Sequence, residues 1–249
     1  MTAPYWQDDH VQLYLGDCRK VLPALGVTAD LIVADPPYGE TSLAWDRWPD
    51  GWPTIAATAS SSMWCFGSMR MFLDRRDEFA QWKLSQDVIW EKHNCSGPQA
   101  DRFRRIHEHA VHWYRGAWRE IHHQPQRRHT GVRVKNPVRQ GRENRAHLGK
   151  YTSATWTDDG TRLLTSVLAV RSMHQNGAIH PTEKPVELLT PLIEYACPPG
   201  GLVLDPFAGS GSTLEAARLT GRRAIGIEGW EPYAEATARR LAQAPLELA

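Results

Sequence analysis

Cysteine is scarce and scattered in this chain: Cys18, Cys65, Cys95 and Cys197 are the four, and none belongs to a C-x-x-C pair. That pattern supplies neither a zinc knuckle nor a disulfide framework, and it fits a reducing compartment. Long apolar runs are missing as well. No stretch approaches the roughly twenty residues that cross a bilayer, and the N-terminus carries no basic stretch followed by an apolar core; a soluble, intracellular protein with no membrane partner is expected. An excess of one charge is also absent, since 29 Lys+Arg against 28 Asp+Glu leave +1. A neutral total still allows a local patch, so the distribution decides whether a polyanion is a partner.

What is present suffices for a large core, with 41% apolar residues over 249 positions. One domain spanning 1–249, with an insertion at about 115–177, is the organisation expected. Alternation at 11–15 reads as a strand, and the spacing of Val21, Leu22 and Leu25 behind Asp17 as an N-capped helix over 18–25. The apolar run 31–34 reads as a buried strand, 55–60 as a helix, 61–66 as a strand and 69–82 as an amphipathic helix. Residues 84–90 and 106–114 read as late strands, antiparallel to one another. Between 39 and 52 lies a tryptophan-rich loop in which Trp45 and Trp48 are either lid or core. After 178 a helix follows His180-Pro181-Thr182-Glu183-Lys184-Pro185 and stops at Pro198-Pro199-Gly200-Gly201. Strand 202–204, a glycine-rich turn, helix 214–219, strand 223–227 ending at Glu228 and helix 233–241 complete half of a nucleotide-binding α/β fold.

Two turns carry chemistry. Asp35-Pro36-Pro37-Tyr38 follows a buried strand, where an open α/β sheet presents residues to ligands. Two prolines remove two amide donors and force extended backbone, leaving the Asp35 carboxylate and the Pro36 carbonyl as rigid acceptors beside an aromatic ring. That is a grip for a flat group bearing an NH2. In Asp205-Pro206-Phe207-Ala208-Gly209-Ser210-Gly211-Ser212-Thr213 the glycines admit close backbone approach, and Glu228 stands where an acid can hold ribose hydroxyls. The third glycine of the dinucleotide fingerprint is missing, and no Gly-Lys-Ser/Thr supplies the lysine of a P-loop. The turn suits a nucleoside without pyrophosphate, such as S-adenosyl-L-methionine.

The segment 115–150 holds ten basic residues against Glu120 and Glu143, with histidines between them. Its apolar content is too low for a core of its own, so contact with a polyanion is the expected role. His107, His109 and His112 do not make a metal site: on a strand the third faces away from the first two, and no partner is spaced to complete a set.

These motifs, in this order, resemble the amino-group DNA methyltransferases of the β arrangement, in which the catalytic motif precedes the cofactor motif. The 88–92 and 102–109 segments also resemble family segments, and the likeness covers roughly 11–114 and 178–241. It implies a Rossmann-like methyltransferase fold, mostly parallel with an antiparallel hairpin, and S-adenosyl-L-methionine as cofactor. Catalysis would fall to Asp35, Pro36, Pro37 and Tyr38. The cofactor would lie against Asp17, Cys18, Asp35, Thr182, Lys184, Asp205, Phe207, Gly209, Ser210, Gly211, Ser212, Thr213 and Glu228, with Asp17 on the adenine and Glu228 on the ribose. Lys184 has a DNA phosphate as its alternative partner.

Double-stranded DNA is the implied substrate, with Arg115, Arg119, Arg127, Arg128, Arg133, Lys135 and Arg139 on its phosphates and the target base flipped out. Asp at the first motif position points to adenine N6, with cytosine N4 as the alternative. Cytosine C5 would need a cysteine after a proline, which this chain lacks. An RNA or protein amino-group methyltransferase, a noncatalytic DNA-binding protein and a nicotinamide oxidoreductase are the weaker readings. Action in the cytoplasm of a prokaryotic cell, as a cellular or viral product, is expected. A cognate restriction endonuclease as partner, and the choice between monomer and homodimer, stay open.

Overall fold

The computed structural model describes residues 3–43, 45–96, 101, 103–130, 159–172 and 183–243. Thr182, Arg133, Lys135 and Arg139, together with the first half of the His180–Pro185 motif, lie outside the described residues. In chain order the elements are β1 (Trp6–Gln7), β2 (Val11–Leu15), α1 (Cys18–Leu25), β3 (Leu31–Ala34), α2 (Trp52–Ala59), β4 (Ser62–Gly67), α3 (Met69–Asp74), β5 (Lys83–Ser96), β6 (Arg105–Tyr114), β7 (Arg127–His129), β8 (Thr161–Leu163), β9 (Val167–Ala169), α4 (Val186–Ala196), β10 (Leu202–Asp205), α5 (Ser212–Leu219), β11 (Arg223–Glu228) and α6 (Glu231–Ala242).

Nine of these strands form one sheet in the order β1-β2-β11-β10-β3-β4-β6-β5-β9. From β2 to β4 the neighbours are parallel, and β6 runs antiparallel to both β4 and β5. The expected mostly parallel fold with an antiparallel hairpin is observed.

Both faces of the parallel strands are covered, which is why they read as continuous apolar runs. Leu31 and Val33 pack on one face with Leu188, Leu189, Leu214 and Ala216. Ile32 and Ala34 pack on the other with Val21, Leu22, Trp52 and Ala56. A strand with period 2 thus feeds both layers at once.

The chain crosses over from β10 through α5 to β11 on one side and from β3 through α2 to β4 on the other, so the strand order diverges between β10 and β3. An open α/β sheet binds its ligands at such a switch point, beyond the carboxyl ends of the strands. Here the two turns singled out in the sequence meet, although 170 positions separate Asp35 from Asp205.

The expected helix over 69–82 is broken. α3 ends at Asp74, Arg75 leaves the helical region, and a 3-10 turn over Arg76–Phe79 follows. Glu78 accepts bonds from Trp48 Nε1 at 2.7 Å and Gly51 N at 2.8 Å, and Phe79 enters the core. Tertiary contacts override the helical periodicity. Trp48 resolves as a core residue, packed on Trp52 and Phe79.

The described residues divide into two compact units, 125–165 and the remainder. Within the smaller one, β7 and β8 pair antiparallel, Thr130 N donates to Gly160 O at 3.0 Å, and the Asp159 carboxylate accepts from Thr161 N at 2.8 Å.

Candidate active site

Asp35 leaves β3 half-buried and its carboxylate is occupied on both oxygens. Lys184 Nζ donates to Oδ2 at 2.5 Å and the Tyr38 hydroxyl to Oδ1 at 2.9 Å. Among the described residues no donor reaches the Pro36 carbonyl, which remains an open acceptor on a backbone fixed by two prolines. Burial, then Asp35 and Glu108, raise the Tyr38 pKa well above its ordinary value, so this ring carries a neutral phenol.

Lys184 is 6% exposed, at the start of α4. It lies 3.4 Å from Glu108 Oε2 and 5.2 Å from the centre of the Phe66 ring, and Glu108 also pairs with Lys92. Two carboxylates and two ammonium groups therefore alternate from Lys92 to Asp35. Burial pushes the Glu108 pKa up, but Lys184 and Lys92 outweigh it and hold it below the ordinary range. Burial likewise lowers the Lys184 pKa, and Asp35 and Glu108 more than restore it. Lys184 is a buried cation clamped on the Asp35 carboxylate.

The loop after Tyr38 is pinned by a residue that sequence reasoning missed. Buried Asp46 accepts from Gly39 N and Thr41 N, each at 2.7 Å, and so sets the exit path of the Asp35–Tyr38 turn. Only its position a few residues past Tyr38 could have drawn attention to it. Glu108 was also missed as a functional group, although it stands in a family-like segment.

On the neighbouring strands, the second turn is built largely from backbone. Glu228 accepts from Gly209 N and Trp230 N, both at 2.8 Å, and closes the turn onto the end of β11. Gly211 has φ +79°, and a Cβ there would lie 2.7 Å from Thr237 Cγ2, so both conformation and space demand glycine. The third glycine's packing task is met elsewhere: at Gly226 on β11, a Cβ would lie 2.6 Å from Leu214 Cδ1 of α5. Phe207 meets Trp52 edge-on at 5.1 Å, joining this turn to the element that follows Tyr38.

Asp205 is buried at the end of β10, where its carboxylate accepts from Phe207 N at 2.9 Å and from the Thr213 side chain. Burial, with added repulsion from Asp35 and Glu228, raises its pKa to about 7. Burial also raises Glu228. Acidic groups held together at the cost of raised pKa values fit a ligand that brings positive charge and hydroxyl groups, and a methylsulfonium nucleoside brings both. Asp205, Glu228 and the Gly209–Gly211 backbone are the groups that would hold it.

Other expected contacts sit differently. Asp17 caps α1, accepting from Arg19 N at 2.9 Å, and pairs with the Arg19 guanidinium at 2.8 Å. It stands beside the β11 end, where Gly16 N donates to Glu228 O at 2.8 Å. The Cys18 thiol is buried in the core beneath α1, and burial pushes its pKa up to about 12. The Ser210 and Ser212 hydroxyls, 3.0 Å apart, point into a buried ion pair behind the turn. There Arg240 Nη1 meets Glu183 Oε1 at 2.6 Å and Ser212 Oγ at 3.2 Å. They brace the turn from behind.

Arg115 and Arg119 stand away from the Asp35 turn. They follow β6, whose last residues pair with the first of β4, so they lie at the sheet edge opposite Asp35. The Arg115 guanidinium donates to the Ala57 carbonyl and covers the Trp82 ring. Arg127 and Arg128 are exposed on β7 in the smaller unit. Among the described residues no group of three His, Cys, Asp or Glu could hold a metal ion, and no helix is long and apolar enough to cross a membrane.

A glycine-rich turn and an Asp-Pro-Pro-Tyr turn thus stand side by side at the switch point of one open α/β sheet. Comparison with known proteins narrows the class: residues 29–239 match the family model described as DNA methylase, and the chain belongs to that family. A 63-residue stretch is 62% identical to the putative methylase YubD of Escherichia coli strain K12, covering 25% of this chain and 28% of YubD. Type II methyltransferase M2.DpnII of Streptococcus pneumoniae is 24% identical over 97% of this chain and 93% of its own length. Among solved structures, an M1.HpyAVI–SAM complex aligns with TM-score 0.64 and 22% identity, over 94% of this chain and all of the other. The cytosine-N4-specific PvuII DNA methyltransferase aligns with TM-score 0.65 and 16% identity, over 99% and 91%. Both share the fold.

Proposed function

We propose that this DNA methylase transfers a methyl group from S-adenosyl-L-methionine to the exocyclic N6 of adenine in double-stranded DNA, directly and with the target base flipped out. The observation that carries the reading is the Asp35 carboxylate held on Lys184 beside an open Pro36 carbonyl. Bound against Asp205 and Glu228, the cofactor supplies an electrophilic methyl on a sulfonium.

The work of the chain is to make a poor nucleophile reactive. An aryl amine delocalises its lone pair into the ring. Asp35 Oδ1 and the Pro36 carbonyl, accepting one hydrogen each, hold the nitrogen towards tetrahedral geometry and return the pair to it. Tyr38 stacks on the flipped ring, a contact worth about 1–3 kcal/mol against an unstacking cost of a few kcal/mol. Positioning and electrostatics carry the rate, with no covalent intermediate.

Asp at the first motif position supports adenine over cytosine. A domain 1–249 with a basic insertion at about 115–177 fits this reading. Within that insertion Arg127, Arg128, Arg133, Lys135 and Arg139 remain the proposed phosphate contacts, and Thr182, Thr213 and Phe207 remain proposed cofactor neighbours.

The test is transfer of labelled methyl to mixed-sequence DNA followed by nucleoside analysis, with D35A in parallel. Label on adenine N6, reduced about 100- to 1,000-fold in the variant while cofactor affinity is kept, is the expected result. Label on cytosine N4 overturns the base assignment and keeps the mechanism. No transfer and no cofactor binding overturn the reading.

A further inference from the structure

The β5–β6 hairpin outruns the sheet. The last pair between β4 and β6 is Gly67 with His109, yet β6 begins at Arg105 and pairs with β5 as far as Glu91 with His107 and, past an irregularity, again at Ser96 with Arg105. Four residues of β6, about 13 Å of strand, therefore project past the carboxyl edge on which Asp35 and Tyr38 lie. The projection is anchored to the site. Glu108 reaches Lys184, and Arg105 Nη1 stands 3.7 Å from Glu40, two residues after Tyr38.

Just beyond this strand, Phe103 is 101% exposed, Arg104 is exposed, and Ile106 is 42% exposed. A single surface hydrophobe needs no explanation. A fully exposed aromatic ring flanked by two arginines, on an arm leaving the catalytic edge, is a different arrangement. An apolar side chain between base steps unstacks them, and guanidinium groups beside it neutralise the phosphates that must approach.

We propose that Phe103 is a wedge for duplex DNA, entering the stack beside the target base and holding the gap left when that base flips towards Tyr38, with Arg104 and Arg105 on the flanking phosphates. The inference rests on the proposed function and adds the residue that opens the duplex. Phe103 touches no reacting atom, so its effect is confined to extracting the base. A target that is already unpaired needs no wedge.

The experiment compares wild type, F103A and F103W on synthetic duplexes carrying the methylated sequence, first mapped by methyl sequencing of genomic DNA treated with the wild-type chain. One duplex has the target correctly paired and the other has it opposite a mismatched base. F103A should slow transfer at least about tenfold on the paired duplex and less than about threefold on the mismatched one, while F103W restores the paired rate. Equal rates for F103A and wild type on the paired duplex overturn the wedge, as does an equal loss on both duplexes. Absence of transfer by the wild-type chain to any DNA overturns the methyltransferase reading instead, and the wedge falls with it.

Discussion

The two turns at the switch point solve opposite problems. In the Asp205–Thr213 turn the key bonds run through backbone amides: Gly209 N and Trp230 N onto Glu228, and Phe207 N onto Asp205. Such a turn is complete before any ligand arrives. In the Asp35–Tyr38 turn the corresponding positions are filled by side chains, Lys184 and Tyr38, whose torsions can change. On the proposed function, one turn is a fixed cradle and the other a site that exchanges partners. Electrostatic preorganisation favours the first for holding a cofactor, and a substrate that must be admitted and released favours the second.

The largest effect that should separate them is at Lys184. K184M leaves two carboxylates, Asp35 and Glu108, with Lys92 as their remaining nearby cation. Stability should drop by about 3–5 kcal/mol, because removing one partner of a buried pair strands the other. Transfer should fall about 100-fold through misplacement of Asp35, while cofactor affinity stays within about twofold. The double variant E108Q/K184M removes one charge of each sign, so it should recover most of the stability and none of the rate. Denaturant melts beside kcat and cofactor titrations read the two outcomes separately. Recovery of rate together with stability would show that the clamp merely supports the fold.

A smaller effect belongs to the cradle. Burial raises Asp205 from 3.8 to about 7, with Asp35 and Glu228 adding repulsion and Thr213 and the Phe207 amide opposing it. Between those two values the unfolded chain has released its proton while the folded chain keeps it. The stability this group contributes is therefore full below about pH 4 and lost as pH rises to 7, by roughly 4 kcal/mol in total. D205N has no such loss and should melt higher than wild type at pH 8 and alike at pH 4. A cationic ligand favours the carboxylate, so wild-type affinity for S-adenosyl-L-methionine should rise as pH goes from 6 to 8. For D205N the affinity should be flat with pH and about tenfold weaker at pH 8. Calorimetry across that range is the check, and an unchanged profile in D205N would remove Asp205 from the site.

The contrast between the turns also explains what the sequence made legible. Strand 31–34, the turn at 205–213 and Glu228 were readable because their constraints are local: apolar runs covered on both faces, glycines, and an acid at a strand end. The clamp on Asp35 was not readable in the same way, since Lys184 reaches it from 149 positions away and is itself held by Glu108, 73 positions from Asp35, and only the sheet order brings them together. Lys184 was identified within its motif, and its contact with Asp35 was not. Arg115 and Arg119 were read from charge alone, and charge does not reveal that β6 delivers its last residues to the opposite edge. The helix over 69–82 failed for a similar reason: Glu78 answers to Trp48 and Gly51 rather than to its helical neighbours.

The finest test of the exchanging turn is the Tyr38 hydroxyl. Its proton occupies Asp35 Oδ1, which the proposed mechanism assigns to the incoming amino group, so on that mechanism Tyr38 closes the site before a base arrives. To receive a base, Tyr38 must give up this bond and turn its ring to the base face. Burial and the adjacent carboxylates raise the phenol pKa, so the hydroxyl keeps the proton it donates. A neutral hydrogen bond of this kind contributes about 0.5–1.5 kcal/mol net. Y38F keeps the ring and removes the latch; KM for DNA should fall about two- to tenfold with kcat unchanged or slightly higher. Y38A loses stacking as well and should lower kcat/KM about 5- to 150-fold. A Y38F variant as impaired as Y38A would mean that the hydroxyl acts on the substrate itself, and the catalytic turn would then be as preformed as the cofactor turn beside it.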